Sequence, residues 1–299
     1  MNPQVSIIIV NFNSEEYLPG CLDSIANQVR NIEYEIIIVD NASQPSSIQF
    51  VRDNYSEVRL IINDKNLGFG AANNRGAKEA RGKYLFFLNP DTLLLDNAAL
   101  RFYQFLEEEK PEAVACGGSL ISSEGHPITS YGNFPSLLQE VGDMGFRRFF
   151  QSYYDRYLSI GKKADELQTP IRVPYITGAD IFVRKQVFFE VGGFDENFFL
   201  YYEETDLFYR LHQKGLVSFL LPDVKIIHLE GPALMKENKL NLEKWPVWEQ
   251  SKYYYYRKHK GIIVSLLVKK IQLLSLVFHY LFGPMKYPLL KTLKTTWKA

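Results

Sequence analysis

Short apolar runs, each stopped by polar residues, set the rhythm of the N-terminal part of the chain. Val5 to Val10 gives way to Asn11-Phe12-Asn13-Ser14, and Tyr34 to Val39 ends at Asp40. Val58 to Ile62 leads into a turn from Asn66 to Gly76, and Tyr84 to Leu88 stops at Asn89-Pro90-Asp91. Runs of β-branched and aromatic residues closed by turn residues predict buried strands. Between them Leu18, Leu22, Ile25 and Val29 recur at helical spacing, and Ser46 to Asn54 predicts a second helix. Asn13 and Glu16 have the spacing of a capping box, and Pro19-Gly20 predicts a break or kink in the first turn. The alternation predicts an α/β fold of βαβ units around a twisted, mostly parallel sheet flanked by helices.

In such sheets ligands gather beyond the carboxyl ends of the strands. Asn11 to Asn13, Asp40 to Ser43, Asn66 to Asn74 and Asn89 to Asp91 would then share one rim, a ligand cleft. From Gly117 to Pro170 the pattern loosens, which predicts an irregular, partly mobile insertion able to cover that cleft. Order returns with Ile171 to Val183, which contains Thr177-Gly178-Ala179-Asp180, and a last strand, Val224 to Ile227, ends at His228. The predicted organisation is a catalytic-type domain over residues 1–250, with the insertion at about 118–170, and a tail over 251–299.

The tail holds a helical pattern from Ile262 to Phe282 in which Ser265, Lys269, Gln272, Ser275 and His279 share one face. It is long enough to span a bilayer, but Lys269 and Lys270 fall mid-span, each costing about 3 kcal/mol there. An amphipathic helix in the membrane plane fits better, with Lys286, Lys291, Lys294 and Lys298 beyond it. Packing on the body of the protein, or in a homodimer, is the competing reading.

Composition sharpens the picture. The 299 residues are 46% hydrophobic and 23% charged, enough for a full core without staples. Net charge is +0, yet the ten Lys and Arg of residues 251–299 meet no Asp or Glu, leaving an acidic body. An acidic body argues against nucleic acid as the main partner, while the basic tail points to anionic lipid or an acidic partner. The two cysteines, Cys21 and Cys116, have neither disulfide-framework nor zinc spacing. No basic leader precedes the apolar run at Val5, so a cytoplasmic protein, peripheral on the inner membrane face, is expected.

Gly68-Phe69-Gly70 lacks the third glycine of a dinucleotide fingerprint and follows the third strand, which disfavours a Rossmann dehydrogenase. Asp40 suits either a ribose hydroxyl or base N–H, or a helix cap. Asp91 suits a hard cation shared with a diphosphate, or a turn. Glu203-Glu204-Thr205-Asp206 follows an aromatic run and opens a helix, so these acids either favour the helix dipole or take a proton beside a stacked sugar. His228 is either structural or a metal ligand.

Val5 to Asn13, Val39 to Ser43, Asn66 to Asn74, Leu88 to Asp91, Thr177-Gly178-Ala179 and Gly192 to Asp206 together resemble the inverting family 2 glycosyltransferases, in particular their rhamnosyltransferase-like branch. The match runs in order over about residues 4 to 230. The resemblance implies a GT-A fold and a nucleotide-diphosphate sugar donor, held by Asn11, Asn13, Asp40, Asn66, Gly70, Asn74, Asn89, Thr177 and Gly178. It implies that Asp40 accepts the N3–H of a pyrimidine, and that Asp91 and His228 hold Mg²⁺ or Mn²⁺. It puts Glu204 in the position of the base, with Glu203 and Asp206 beside it; for the acceptor, a glycan or lipid-linked glycan, the basic amphipathic tail suggests the lipid-linked form. Asn89 stands where the family has the first Asp of its metal motif, and Glu204 where it usually has Asp. A sugar-binding scaffold and a nucleotidyltransferase are the rival classes; the latter lacks its Gly-rich, Arg/Lys-containing loop after the first strand.

Overall fold

The computed structural model describes residues 3–164, 166–229, 235–236, 239–240, 244–282 and 288–298. Lys286, counted above with the basic tail, lies outside them. The described chain divides into two compact units, one of residues 1–132, 161–197 and 204–231, the other of 133–160, 198–203 and 232–299.

The first unit is built on a nine-stranded sheet. Its strands are β1 (Val5–Asn11), β2 (Tyr34–Asp40), β3 (Arg59–Ile62), β4 (Tyr84–Leu88), β5 (Thr92–Leu94) and β6 (Ala113–Ile121). A two-residue β7 (Tyr131–Gly132) and β9 (Tyr175–Ile176) pair separately, while β8 (Ile171–Val173), β10 (Asp180–Arg184) and β11 (Val217–His228) complete the sheet. The order is β3-β2-β1-β4-β10-β6-β11-β5, with β8 alongside β11. The first four strands are parallel, as their crossovers through α1 (Leu18–Gln28), α2 (Pro45–Asn54) and α3 (Phe69–Glu79) require. β10 enters antiparallel between β4 and β6, which makes the whole sheet mixed.

Burial explains the apolar runs. Every residue of β1 and β4 is buried, as expected of strands covered on both faces. Ile7, Ile9, Phe86, Phe102 of α4 (Ala98–Gln104) and Phe182 belong to one large core cluster. Stacked and edge-on rings knit it, with Tyr84 and Phe182 centroids 5.0 Å apart. Both cysteines are buried free thiols.

Two local expectations are corrected. The Asn13–Glu16 capping box does not form: α1 begins at Leu18, and Pro19 sits in its first turn, where a missing N–H costs nothing. Asn13 instead adopts φ 51°, and its Oδ1 accepts from the N–H of Gln44 at 2.9 Å, tying the first loop to the second.

The second unit holds residues 133–160, with α5 (Leu137–Asp143), a 3₁₀ turn at Phe146–Phe149 and a one-turn α6 (Gln151–Tyr153). It also holds α9 (Lys244–Lys260), α10 (Ile262–Phe282) and α11 (Leu289–Lys298). The boundary expected at residue 250 therefore falls inside α9, and the expected insertion is shared between the units. A buried pair, Lys252 Nζ to Glu140 Oε2 at 2.7 Å, joins α9 to α5, and the Tyr256 hydroxyl donates to Glu140 Oε1 at 3.0 Å. Trp245 donates to Thr296 at 3.2 Å, holding α11 on α9. α7 (Lys185–Glu190) follows β10, and α8 (Glu203–Gln213) opens with the acidic cluster.

Candidate active site

The parallel register sets Asn11 opposite Asp40, so two of the polar strand ends meet on one rim. Asp40 is buried: Oδ1 accepts from Asn11 Nδ2 at 2.7 Å and Oδ2 from the N–H of Ser43 at 3.0 Å. Asp40 is therefore no helix cap, since α2 starts at Pro45 with Gln44 at its cap; the bonds close the loop after β2 and fix the carboxylate's direction. Asn41, which the sequence shows only as a turn residue, is the hub of the next loop. Its Oδ1 accepts from Asn63 Nδ2 at 3.0 Å and from the N–H of Leu67 at 2.9 Å, while its Nδ2 donates to Asn66 Oδ1 at 2.8 Å. Asn66 in turn accepts from the N–H of Gly68, just before α3 and Gly70. Asn74 serves another part of the unit: it is buried, donates to the Phe194 carbonyl at 2.8 Å and accepts from the Phe194 N–H at 2.9 Å.

The other side of the rim is set by antiparallel pairing. β5 pairs with β11 so that Thr92 faces His228, and the Leu229 N–H donates to the Asp91 carbonyl at 2.9 Å. That register brings His228 Nε2 to 3.2 Å from Asp91 Oδ2, both side chains being largely buried. His228 Nδ1 and Asn89 Oδ1 are buried without a hydrogen-bond partner. Asp91 and His228 present a carboxylate oxygen and an imidazole nitrogen, donor types that would suit a divalent ion, and at 3.2 Å they also pair with each other directly. Among the described residues no third His, Cys, Asp or Glu joins them.

The Asn89 N–H donates to the Ala179 carbonyl at 3.0 Å, which sets Thr177-Gly178-Ala179 beside the Asn-Pro-Asp turn. Thr177 is turned to the Ser130 carbonyl, to which its hydroxyl donates at 3.2 Å. A β-carbon at Gly178 would lie 3.9 Å from Glu204 Cγ and 3.8 Å from the Phe69 ring, so the acidic helix reaches the same rim.

The three candidate acids of α8 differ sharply. Asp206 is fully buried and paired with Arg210 at 2.8 Å, and Arg210 also donates to the Gly193 carbonyl at 2.6 Å, so this carboxylate holds a loop. Glu203 is buried as well. Glu204 is half-buried; burial pushes its carboxyl above the usual range, and the like charge of Asp206 adds to that. Tyr201 and Tyr202, just ahead of them, take φ 69° and 68°. Left-handed backbone at bulky residues costs of order 1–3 kcal/mol each and gathers at functional sites.

Sequence reasoning passed over Asp180, which lies in the apolar run of β10. It is fully buried, and Oδ2 accepts from the Gly118 N–H at 2.5 Å while Oδ1 has no partner. Gly117 and Gly118 make room for it, since a β-carbon on either would lie 3.3 Å from Oδ2. Burial holds this carboxyl well above the usual range. A carboxyl with a raised folded-state pKa keeps its proton where the unfolded chain has lost it, so stability falls as pH rises above the unfolded value of about 3.9. Asp180→Asn should therefore raise the melting temperature, by more at neutral pH than at mildly acid pH. Equal shifts at both pH values in paired thermal melts would exclude an ionisation cost at this residue.

The sequence profile described as Glycosyl transferase family 2 matches residues 6–191. An N-acetylglucosaminyl-diphospho-decaprenol L-rhamnosyltransferase of Mycobacterium tuberculosis is 26% identical over 249 residues, covering 76% of this chain and 76% of that protein. An O-antigen biosynthesis protein, RfbC, of Myxococcus xanthus is 27% identical over 77% of this chain, which spans only 18% of that protein. A poly(ribitol-phosphate) beta-glucosyltransferase of Bacillus spizizenii is 37% identical over 43% of this chain and 21% of its own length. Among solved structures, GalNAc-T7 with UDP, GalNAc and Mn²⁺ superposes with a TM-score of 0.60 at 16% identity, over 87% of this chain and 51% of that one. The mannosyltransferase PcManGT from Pyrobaculum calidifontis, in complex with GDP-Man and Mn²⁺, gives 0.56 at 14% identity, over 100% and 80%. These likenesses are of fold, and the fold is GT-A.

Proposed function

The chain belongs to glycosyl transferase family 2, and from that premise we propose that it moves a sugar from a UDP- or dTDP-sugar to a hydroxyl of a glycan or lipid-linked glycan, with inversion, in cell-surface polysaccharide synthesis. The observation that carries this reading is the Asp91–His228 pair, 3.2 Å apart, on the rim that Glu204 reaches beside Gly178. The lipid-linked acceptor is suggested by the diphospho-decaprenol substrate in the name of the mycobacterial relative. Such an acceptor would place the protein at the cytoplasmic face of the membrane.

In the proposed reaction Glu204 takes the proton of the acceptor hydroxyl as its oxygen attacks the anomeric carbon. The bond from that carbon to the diphosphate breaks, and the nucleoside diphosphate departs with the electron pair. A carboxyl made more basic by burial is better matched to this task than an exposed one. Asp91 and His228 would hold Mg²⁺ or Mn²⁺, which when bound neutralises charge on the leaving diphosphate. Asp40, fixed by Asn11 and Ser43, keeps lone pairs with which to accept the pyrimidine N3–H.

Incubation of the protein and Mn²⁺ with a panel of nucleotide sugars tests the reading. Slow release of nucleoside diphosphate from one donor is expected. Pyrophosphate-dependent formation of a nucleoside triphosphate would indicate nucleotidyl transfer instead, and silence over the whole panel a binding protein.

A further inference from the structure

The second unit carries a helix that is turned inside out relative to a soluble amphipathic helix. In α10 the polar face packs inward: the Ser265 hydroxyl donates to the Tyr253 carbonyl at 2.9 Å, and Gln272 Oε1 accepts from Lys252 Nζ at 2.7 Å. The Lys269 ammonium lies 5.4 Å from the centre of the Tyr253 ring. The apolar side is left outside, with Ile263 72%, Leu266 53%, Leu274 61%, Phe278 47% and Leu281 61% exposed. The segment Ile262–Leu281 has a mean hydropathy of 1.8, yet only 17% of it is buried. A contiguous apolar surface of this kind on a folded unit marks a docking face.

The turn after α5 extends that face. A β-carbon on Gly145 would lie 3.8 Å from the Phe278 ring, so the turn that follows Gly145 starts against α10. It presents Phe146 and Phe149, 49% and 70% exposed, with the Arg148 guanidinium 4.8 Å from the Phe149 ring. Aromatic side chains with a basic residue beside them suit the boundary between acyl chains and headgroups. α11 adds Leu290 and Trp297, 83% and 69% exposed, among exposed Lys291, Lys294 and Lys298.

We propose that α10 and the Phe146–Phe149 turn form one monotopic face that seats the protein on an anionic bilayer. The turn is a second anchor, separate from the basic tail. Charge chooses the occupant. Arg147, Arg148, Lys270 and the lysines of α11 are all basic and exposed, and the turn from Met144 to Phe150 has no acid. Two copies meeting face to face across a two-fold axis would oppose like charges at that rim, whereas a surface of anionic headgroups complements them.

The biological sense of the proposal rests on the lipid-linked acceptor suggested above, but its test does not. The intact chain is sedimented with vesicles of phosphatidylcholine alone or with roughly a third phosphatidylglycerol. It should partition to the anionic vesicles, and Phe149→Ser with Phe278→Ser should weaken that partition about 10-fold. Arg147→Glu with Arg148→Glu, on exposed side chains that the fold does not need, should weaken it at least about 10-fold on anionic vesicles. No partition of the wild type, or partition untouched by both pairs of changes, overturns the proposal. So does a stable dimer in solution that the serine pair converts to monomer. Failure on vesicles with donor cleavage intact removes only the lipid face; binding to vesicles without cleavage of any donor removes the transfer reading.

Discussion

Replacing Glu204 by Gln is expected to lower turnover by about 10² to 10⁴-fold, the usual contribution of a positioned base, with donor affinity almost unchanged. The three acids of α8 give the expectation its specificity. Asp206 is committed to Arg210, and its loss would loosen the Gly193 loop, lowering stability along with activity. Glu203 is buried, whereas Glu204 is half-buried beside Gly178 and Phe69. The wild-type rate should also fall on the acid side, with its midpoint above the ordinary carboxyl value because burial raises the Glu204 pKa. A Glu204→Gln variant that turns over at the wild-type rate would remove Glu204 from the role of base. One that keeps the acid limb would assign that limb to another group.

The second large effect is expected at the pair that would hold the cation. Asp91→Ala and His228→Ala should each weaken Mn²⁺-dependent binding of the donor by about 100-fold or more, since even residues behind metal ligands cost 10 to 100-fold in affinity. Binding measured in chelator should be nearly the same for both variants and the wild type. Asn89 makes this site sensitive, because Asp91 is the only carboxylate of the Asn-Pro-Asp turn. Restoring the missing charge with Asn89→Asp should tighten the ion. Calorimetry giving both alanine variants wild-type affinity in Mn²⁺ would leave Asp91 and His228 as a structural pair.

The parallel half of the sheet was legible because buried strands write themselves as β-branched runs, and parallel strands deliver their polar ends to one rim. Asn11, Asp40 and Asp91 could be placed on that rim without knowing a single contact. The antiparallel entry of β10 between β4 and β6 could not, since pairing between distant segments leaves no periodicity of its own. Nor could the roles of Asn41 and Asn74: an amide in a loop or a helix reads the same whether it faces a ligand or, as Asn74 of α3 does, the backbone of Phe194. The capping box at Asn13 failed because the same side chain had a better acceptor's use across the rim, at Gln44. In α10 the sequence displayed two faces but carried no sign saying which is inside. Lys252 and Tyr253, on the neighbouring helix, supply the sign by hydrogen bonding to the polar one.

The position of His228 depends on an irregularity in the strand that carries it. Along the β6 edge, Leu221 of β11 faces Gly118 and Lys225 faces Ser119, so Pro222, Asp223 and Val224 have no opposite number. An odd number of extra residues exchanges the two faces of a strand. The side of the sheet on which His228 emerges is therefore decided by how many residues the bulge contains, and not by the identity of any one of them. Point substitutions there would leave that count as it is, whereas loss of a single residue would turn the imidazole away from Asp91 while leaving every surrounding motif readable in the sequence.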